Sequence, residues 1–325
     1  MTTNYTIGID LGGTNIKAGI CDARLKLVAQ ESIATEADGG VEHVLARMAG
    51  LVEELQRRAD LRRQDILGLG VGAPGPMSHR EGIIHHAPNL PGWVKVPLRD
   101  RLAALSGLNV VLENDANAAA FGEYAAGAGR GVRDMVMLTL GTGIGGGIVL
   151  DGRLWRGRFD NAGEIGHMII VPDGRPCPCG QHGCLERYAS ANAVAERLRE
   201  AVHQGADSLL RPQVLAGVPF DAREVVATLD RGDTLAARIW DETCYYLALS
   251  VVNLQHLLNP ELVVFAGGLI NAGERLLSGV RRHFEKLSWK IAPDAPRIAF
   301  ATLGTDAGTI GAAALARAAF AGTAP

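Results

Sequence analysis

The sequence predicts an α/β protein of two lobes built by duplication. Three observations lead there: a glycine hairpin recurs at constant offset, strand-like runs end in glycine- or proline-rich breakers, and amphipathic helices separate them. From Ile9 the chain reads Ile-Asp-Leu-Gly-Gly-Thr-Asn and reaches Asp22 and Leu25; from Leu138 it reads Leu-Thr-Leu-Gly-Thr-Gly-Ile and reaches Asp151 and Leu154. Leu11 matches Leu140, Gly12 matches Gly141, Ile20 matches Val149 and Asp22 matches Asp151. Each copy therefore reads as strand, glycine turn, strand, acidic turn and a third short strand.

The elements follow in order. Gly40 to Arg58 carries apolar residues at Val41, Val44, Leu45, Met48, Leu51, Val52 and Leu55, the stripe of an amphipathic helix. Ile66 to Val71 is a buried strand that runs into the breaker Gly72-Ala73-Pro74-Gly75-Pro76, and Pro88-Asn89-Leu90-Pro91-Gly92 is a second loop. Loops after strands are where α/β proteins hold ligands. Val110 to Leu112 is a short strand, followed by Glu113-Asn114-Asp115 and an alanine-rich helix from about Ala116 to Ala126. Near Gly127 to Arg133 the chain is expected to cross from the first lobe to the second. Beyond the second hairpin lies a segment rich in Gly, Cys and Pro from Asn161 to Arg187, then a largely helical region. Thr243 to Leu258 is apolar on nearly every face and stops at Pro260. Glu261 to Phe265 is a strand delivering Ala266-Gly267-Gly268, and Gly308 to Ala319 is a small-residue helix suited to pack on the first lobe. The expected lobes are residues 1–125 with about 305–325, and residues 126–304.

Composition narrows the function classes. With 325 residues, 47% of them apolar, and a formal net charge of −3, the chain is long enough for two cores and lacks the basic excess of a nucleic-acid binder. No signal peptide or membrane span is read. Five cysteines are an odd number for a disulfide framework, and Cys177, Cys179 and Cys184 share one short segment, which points to a metal in a reducing cytoplasm.

Three constellations carry chemistry. Asp10-Leu-Gly12-Gly13-Thr14-Asn15, with Lys17 on the following strand, sets a carboxylate beside backbone donors, the combination that holds Mg2+ and nucleotide phosphates; the plain alternative is a tight hairpin with a solvated Asp10. Gly141, Thr142 and Gly143 repeat the donor turn, and Gly267 and Gly268 supply a third. No Gly-Lys-Ser/Thr follows either hairpin, so neither is a P-loop. Asp115 stands at a strand end opening a helix and is the candidate general base, with Asn114 beside it as a substrate ligand. Helix capping is the competing role, and the two roles can coexist. A helix N-terminus stabilises the ionised carboxylate and weakens it as a base, which matters little for a loose phosphoryl-transfer transition state. His167, Cys177, Cys179 and Cys184 give one imidazole and three thiolates, the set of a closed tetrahedral Zn2+ site; buried cysteines or a labile disulfide are the alternative. With one ring nitrogen on the metal, the other nitrogen of His167 is left to meet a substrate hydroxyl. Glu164 and Glu186 bracket this segment as carboxylates suited to vicinal hydroxyls.

Taken together, Asp10-Leu-Gly-Gly-Thr, Gly72-Ala-Pro-Gly-Pro, Pro88-Asn-Leu, Glu113-Asn-Asp-Ala-Asn-Ala, Leu140-Gly-Thr-Gly-Ile-Gly-Gly-Gly, Ala162-Gly-Glu-Ile-Gly-His, the Cys177 to Glu186 knuckle and Ala266-Gly-Gly resemble the ROK family of sugar kinases and repressors, and within it the bacterial glucokinases. The resemblance implies an actin-like ATPase fold of two ribonuclease-H-like lobes with a central cleft for ATP and sugar. It implies Asp115 as catalytic base, and Asn114, Glu164, His167 and Glu186 as sugar ligands with Gly75 and Asn89 as neighbours. It also implies a homodimer. The expected activity is ATP-dependent phosphorylation of a hexose at the 6-hydroxyl, with glucose leading and fructose, mannose, N-acetylglucosamine and N-acetylmannosamine as alternatives. A sugar-responsive repressor of the same family would need a helix-turn-helix ahead of the first lobe, where only about six residues precede the first strand. Asp160 and Ser190-Ala191-Asn192 depart from the usual pattern of the family, which has Gly and Ser-Gly-Thr there.

Overall fold

The computed structural model describes residues 5–291 and 294–321; residues 1–4 and 322–325, the outer ends of the expected first lobe, lie outside that range. Its contacts divide the chain into two units, one made of residues 5–135, 147–163 and 301–321 and the other of residues 136–146 and 164–300.

The first unit begins with β1 (Tyr5–Leu11), β2 (Asn15–Cys21) and β3 (Leu27–Ala34), antiparallel neighbours in a meander. Alternation of burial is clean only in β3, the edge strand; β1 and β2 are buried on nearly every residue because helices cover them. The helix α1 (Gly40–Arg58) has the bounds its apolar stripe predicts and buries Val44, Leu45, Met48, Leu51, Val52 and Leu55. The strand β4 (Ile66–Ala73) then pairs parallel with β1. A small sheet that sequence patterning does not reveal follows, made of β5 (Met77–Ser78), β6 (Ile83–His86) and β7 (Val94–Val96), too short to show a period. After α2 (Leu98–Ser106), β8 (Val110–Asn114) pairs parallel with β4 and leads into α3 (Asp115–Ala126).

The second hairpin is β9 (Met135–Leu140) and β10 (Ile144–Leu150), whose far end turns back into β11 (Arg153–Leu154). The second unit continues through the cysteine segment into α4 (Glu186–Ala189), α5 (Ala191–His203), α6 (Arg211–Leu215), α7 (Ala222–Leu229) and α8 (Thr234–Leu258). The helix α8 starts nine residues before its all-apolar stretch, at a capping Asp233 whose side chain accepts the N–H of Ala236. It ends as expected before Pro260, with Asn259 in the left-handed region. The strand β12 (Leu262–Ala266), the helix α9 (Glu274–Leu287) and β13 (Arg297–Phe300) complete this unit, β12 and β13 running parallel.

The two large sheets have the same strand order, β3-β2-β1-β4-β8 and β11-β10-β9-β12-β13: in each, a three-stranded meander is extended by two later strands next to its first. This is the duplication that the repeated hairpins predict. In the first unit the chain returns as α10 (Ala307–Phe320), which packs on β1, β4 and α3. That packing requires glycine at Gly8 and Gly311, because a Cβ at Gly8 would enter the Thr309 carbonyl and one at Gly311 the Ala118 carbonyl.

Candidate functional site

In the first unit the hairpin tip is held from three sides. The N–H of Gly12 donates to the Asn15 carbonyl at 2.9 Å, the Thr35 hydroxyl donates to the Gly12 carbonyl at 2.7 Å, and the Thr35 N–H donates to the Thr14 carbonyl at 2.8 Å. Gly13 lies so near Asn89 that a Cβ there would stand 2.8 Å from the Asn89 carbonyl oxygen, so the structure brings these two predicted residues together. Asp10 sits opposite Lys17 across the hairpin. Burial pushes its carboxyl up to about 6, the nearby charge of Asp115 adds to the rise, and Lys17 works against it. Two predicted carboxylates thus interact inside one unit. Lys17 directs its ammonium at the start of α10, bonding the Thr305 carbonyl at 2.9 Å and Asp306 at 2.5 Å.

The corner between β8 and α3 is set by Asn114. Its Oδ1 accepts the N–H of Ala116 at 3.0 Å and of Asn117 at 3.1 Å, so Asn114 is the cap and Asp115 the first helical residue. Capping, the competing role for Asp115, belongs to its neighbour. Asp115 is half-buried and accepts the Ala116 N–H at 2.8 Å. Sequence reasoning misses what lies beneath. Glu113, 3% exposed, accepts the Nε of Arg156 at 2.6 Å, the side-chain amide of Asn117 at 3.0 Å and the N–H of Asn114 at 3.1 Å. Arg156 and His79 are far from Glu113 in sequence, so no spacing signals them. Gly75, with φ +89°, packs its α-carbon against the His86 carbonyl at the small sheet.

In the second unit the hairpin closes with the Gly141 N–H on the Gly143 carbonyl at 3.0 Å. Glu186, on α4, accepts the N–H of Ile144 at 2.9 Å and lies where a Cβ of Gly143 would be. The predicted sugar ligand Glu186 therefore braces the predicted phosphate turn. Gly267, with φ +85°, packs on the Leu140 backbone. A cavity of about 610 Å³ beside these turns is lined by Gly141, Thr142, Gly268, Asn192, Asp221 and Arg275 among others. The glycine turns were legible; the wall from Asp221 to Asp230 and Arg275 was not, because nothing in its residue types marks it. Glu164 is exposed, and its carbonyl accepts the N–H of His167 at 3.0 Å, one turn on.

His167, Cys177, Cys179 and Cys184 converge, their ligand atoms all within 4.8 Å of one another. The chain folds to this through a turn at Gly180, with its N–H on the Cys177 carbonyl, and through isolated bridges joining Ile169 to Cys184 and Pro176 to His182. The sulfurs of Cys179 and Cys184 are 3.7 Å apart, and Nδ1 of His167 is 3.8 Å from the sulfur of Cys177. A tetrahedral zinc with bonds of about 2.3 Å has edges of about 3.8 Å, so the set fits that ion. Burial pushes the Cys184 thiol up to about 12 and raises Cys177, whereas the Gln181 backbone lowers the more exposed Cys179. Nδ1 of His167, rather than Nε2, faces the sulfur of Cys177.

Asn114, Asp115, Gly75 and Asn89 belong to the first unit; Glu164, His167 and Glu186 belong to the second. No helix among the described residues is long and apolar enough to cross a membrane.

Comparison with known proteins agrees with this geometry. A glucokinase of Halalkalibacterium halodurans is 38% identical over 312 residues, covering 96% of this chain and 94% of the relative. The crystal structure of a ROK hexokinase from Thermus thermophilus superposes with a TM-score of 0.80 at 36% identity, covering 95% of this chain and 96% of that one. A ROK family glucokinase from Streptomyces griseus, solved in complex with glucose and AMPPNP, gives a TM-score of 0.76 at 34% identity over 96% of this chain and 99% of its own. The duplicated sheets are the two halves of an actin-like ATPase fold. The ROK family model matches residues 6–319, and the chain is a member of the ROK family.

Proposed function

We propose that this protein is an ATP-dependent hexose kinase that phosphorylates the 6-hydroxyl of glucose. The observation that carries the reading is the coupled pair of carboxylates in the first unit, Asp10 on the glycine hairpin and Asp115 at the start of α3. Asp115 takes the proton of the attacking hydroxyl late in a loose transition state, where orientation matters more than basicity. Asn114, Glu164, His167 and Glu186 hydrogen-bond the sugar hydroxyls, with Gly75 and Asn89 beside them. Gly12, Gly13, Thr14 and Asn15 offer donors to the phosphates, as do Gly141, Thr142 and Gly143, and the cavity lined by Gly268, next to Gly267, takes the adenosine. The repulsion between Asp10 and Asp115 suits a dication, and Mg2+ bound there with the nucleotide would supply neutralisation of the phosphate charge. His167, Cys177, Cys179 and Cys184 would hold Zn2+, which would supply a fixed imidazole orientation. The same reading makes the protein a cytoplasmic homodimer, with exposed Leu257, Trp289 and Ile291 as apolar surface for the contact.

A coupled ADP-release assay over hexoses and N-acetylhexosamines tests the substrate. Glucose is expected to give the highest kcat/KM; a higher value for N-acetylmannosamine or N-acetylglucosamine overturns the choice of sugar while leaving the kinase. Asp115→Asn is expected to lower turnover by about 10² or more. Elemental analysis is expected to find about one zinc per chain, lost together with sugar affinity in Cys179→Ser.

A further inference from the structure

Resting on the reading of Asp115 as the base, we propose that Glu113 is its positioning residue, clamped by Arg156, and that this pair sets turnover and leaves nucleotide affinity alone. Glu113 is the last fully buried residue before the corner. Its carboxylate accepts the N–H of residue 114 and the side-chain amide of Asn117, and Asp115 lies between those two anchor points. The carboxylate is itself fixed by the Nε of Arg156 at 2.6 Å, with Nδ1 of His79 at 3.5 Å from the same oxygen. His79 is held in turn, its ring nitrogen 2.7 Å from the Leu112 carbonyl and its N–H donating to Asp160 at 2.9 Å. Two separate stretches of chain, at His79 and at residues 156–160, therefore meet at the strand tip that presents the base.

An ion pair with one end buried, as Glu113 is and the partly exposed Arg156 is not, is a poor way to stabilise a fold, because apolar residues of the same volume do as well or better. Its placement directly under Asp115 gives it another use. Misplacing a reacting group by about 1 Å can cost about 10²-fold in rate. Asp160 takes part in the clamp from the left-handed region, with φ 58°, where its carboxylate accepts the backbone N–H of His79.

The test compares Glu113→Gln, Arg156→Met and the double variant with Asp115→Asn, by kcat, KM for ATP and for glucose, and thermal melting. Glu113→Gln keeps an acceptor for the two amide donors and is expected to lose roughly ten- to hundredfold in kcat with KM for ATP within about twofold. Arg156→Met strands a buried carboxylate and is expected to melt earlier. The double variant is expected to regain that stability and not the kcat. Recovery of kcat along with stability would make the pair merely structural and overturn the proposal, as would near-normal kcat in Glu113→Gln beside a crippled Asp115→Asn. Normal turnover in Asp115→Asn instead sinks the reading of the base. If Glu113→Gln does not fold, the kcat of Arg156→Met and of the double variant decides.

Discussion

The two glycine hairpins turn at matching positions of the repeat, Leu11 and Asn15 answering to Leu140 and Ile144, yet they are armed differently. Where the first carries Asp10, the second carries Thr139, whose hydroxyl accepts the Gly145 N–H at 3.2 Å inside its own turn. The first tip is tied down by the hydroxyl of Thr35, the second by the carboxylate of Glu186. Duplication thus supplied backbone donors twice and the strand carboxylate once. Phosphate oxygens need many donors but little extra negative charge, so a second acid at position 139 would repel the ligand its turn is shaped to receive.

Breaking that asymmetry gives predictions of decreasing size. Asp10→Asn should lower turnover by about 10³, on the scale of losing a charge-organising group in a closed site, while Thr139→Val should cost less than about tenfold. Comparable losses from both would mean that the hairpins share the charged role. Gly143→Ala pushes the Glu186 carboxylate aside and should raise KM for glucose roughly ten- to hundredfold, the worth of a charge-assisted hydrogen bond. An unchanged KM would remove Glu186 from the sugar.

The pH dependence of stability sharpens the comparison further. In the folded chain Asp10 holds its proton up to about pH 6, in the unfolded chain only to about pH 4, so its ionisation subtracts stability as pH rises through that window. Asp10→Asn should therefore stabilise the ligand-free protein by up to about 3 kcal/mol above pH 6 and by nothing below pH 4. Urea titrations at pH 4 and pH 8 check this; a gain of equal size at both would point away from charge burial. Smallest of all, Thr35→Ala should cost about 1 kcal/mol and leave the second hairpin untouched, as hydrogen exchange at Gly12 and Gly141 would report.

Much of this was legible in the chain. The hairpins, the limits of α1 and the glycines of three turns follow from period and from the need for close backbone approach, and the cysteine spacing foretold the His167 cluster. The sheet of β5 to β7 was hidden because strands of two to four residues carry no period. Glu113 was read as part of a motif, but its meaning depends on His79 and Arg156, which only the fold brings to it. Lys17 sits where a phosphate ligand would be sought from sequence, yet its partners Thr305 and Asp306 come from almost three hundred residues on.

That reach across the chain has a consequence for how the protein is made. The helix α10 seals the core of the unit that holds Asp10 and Asp115, against Gly8 on β1, about three hundred residues earlier in the chain. The face of the first unit's sheet that α10 covers must wait until residue 320 has been synthesised, whereas nearly all of the second unit is assembled from the single run 164–300. During synthesis at about 5–20 residues per second, β1 therefore emerges tens of seconds before the helix that covers it, exposed meanwhile to whatever binds bare β-strands.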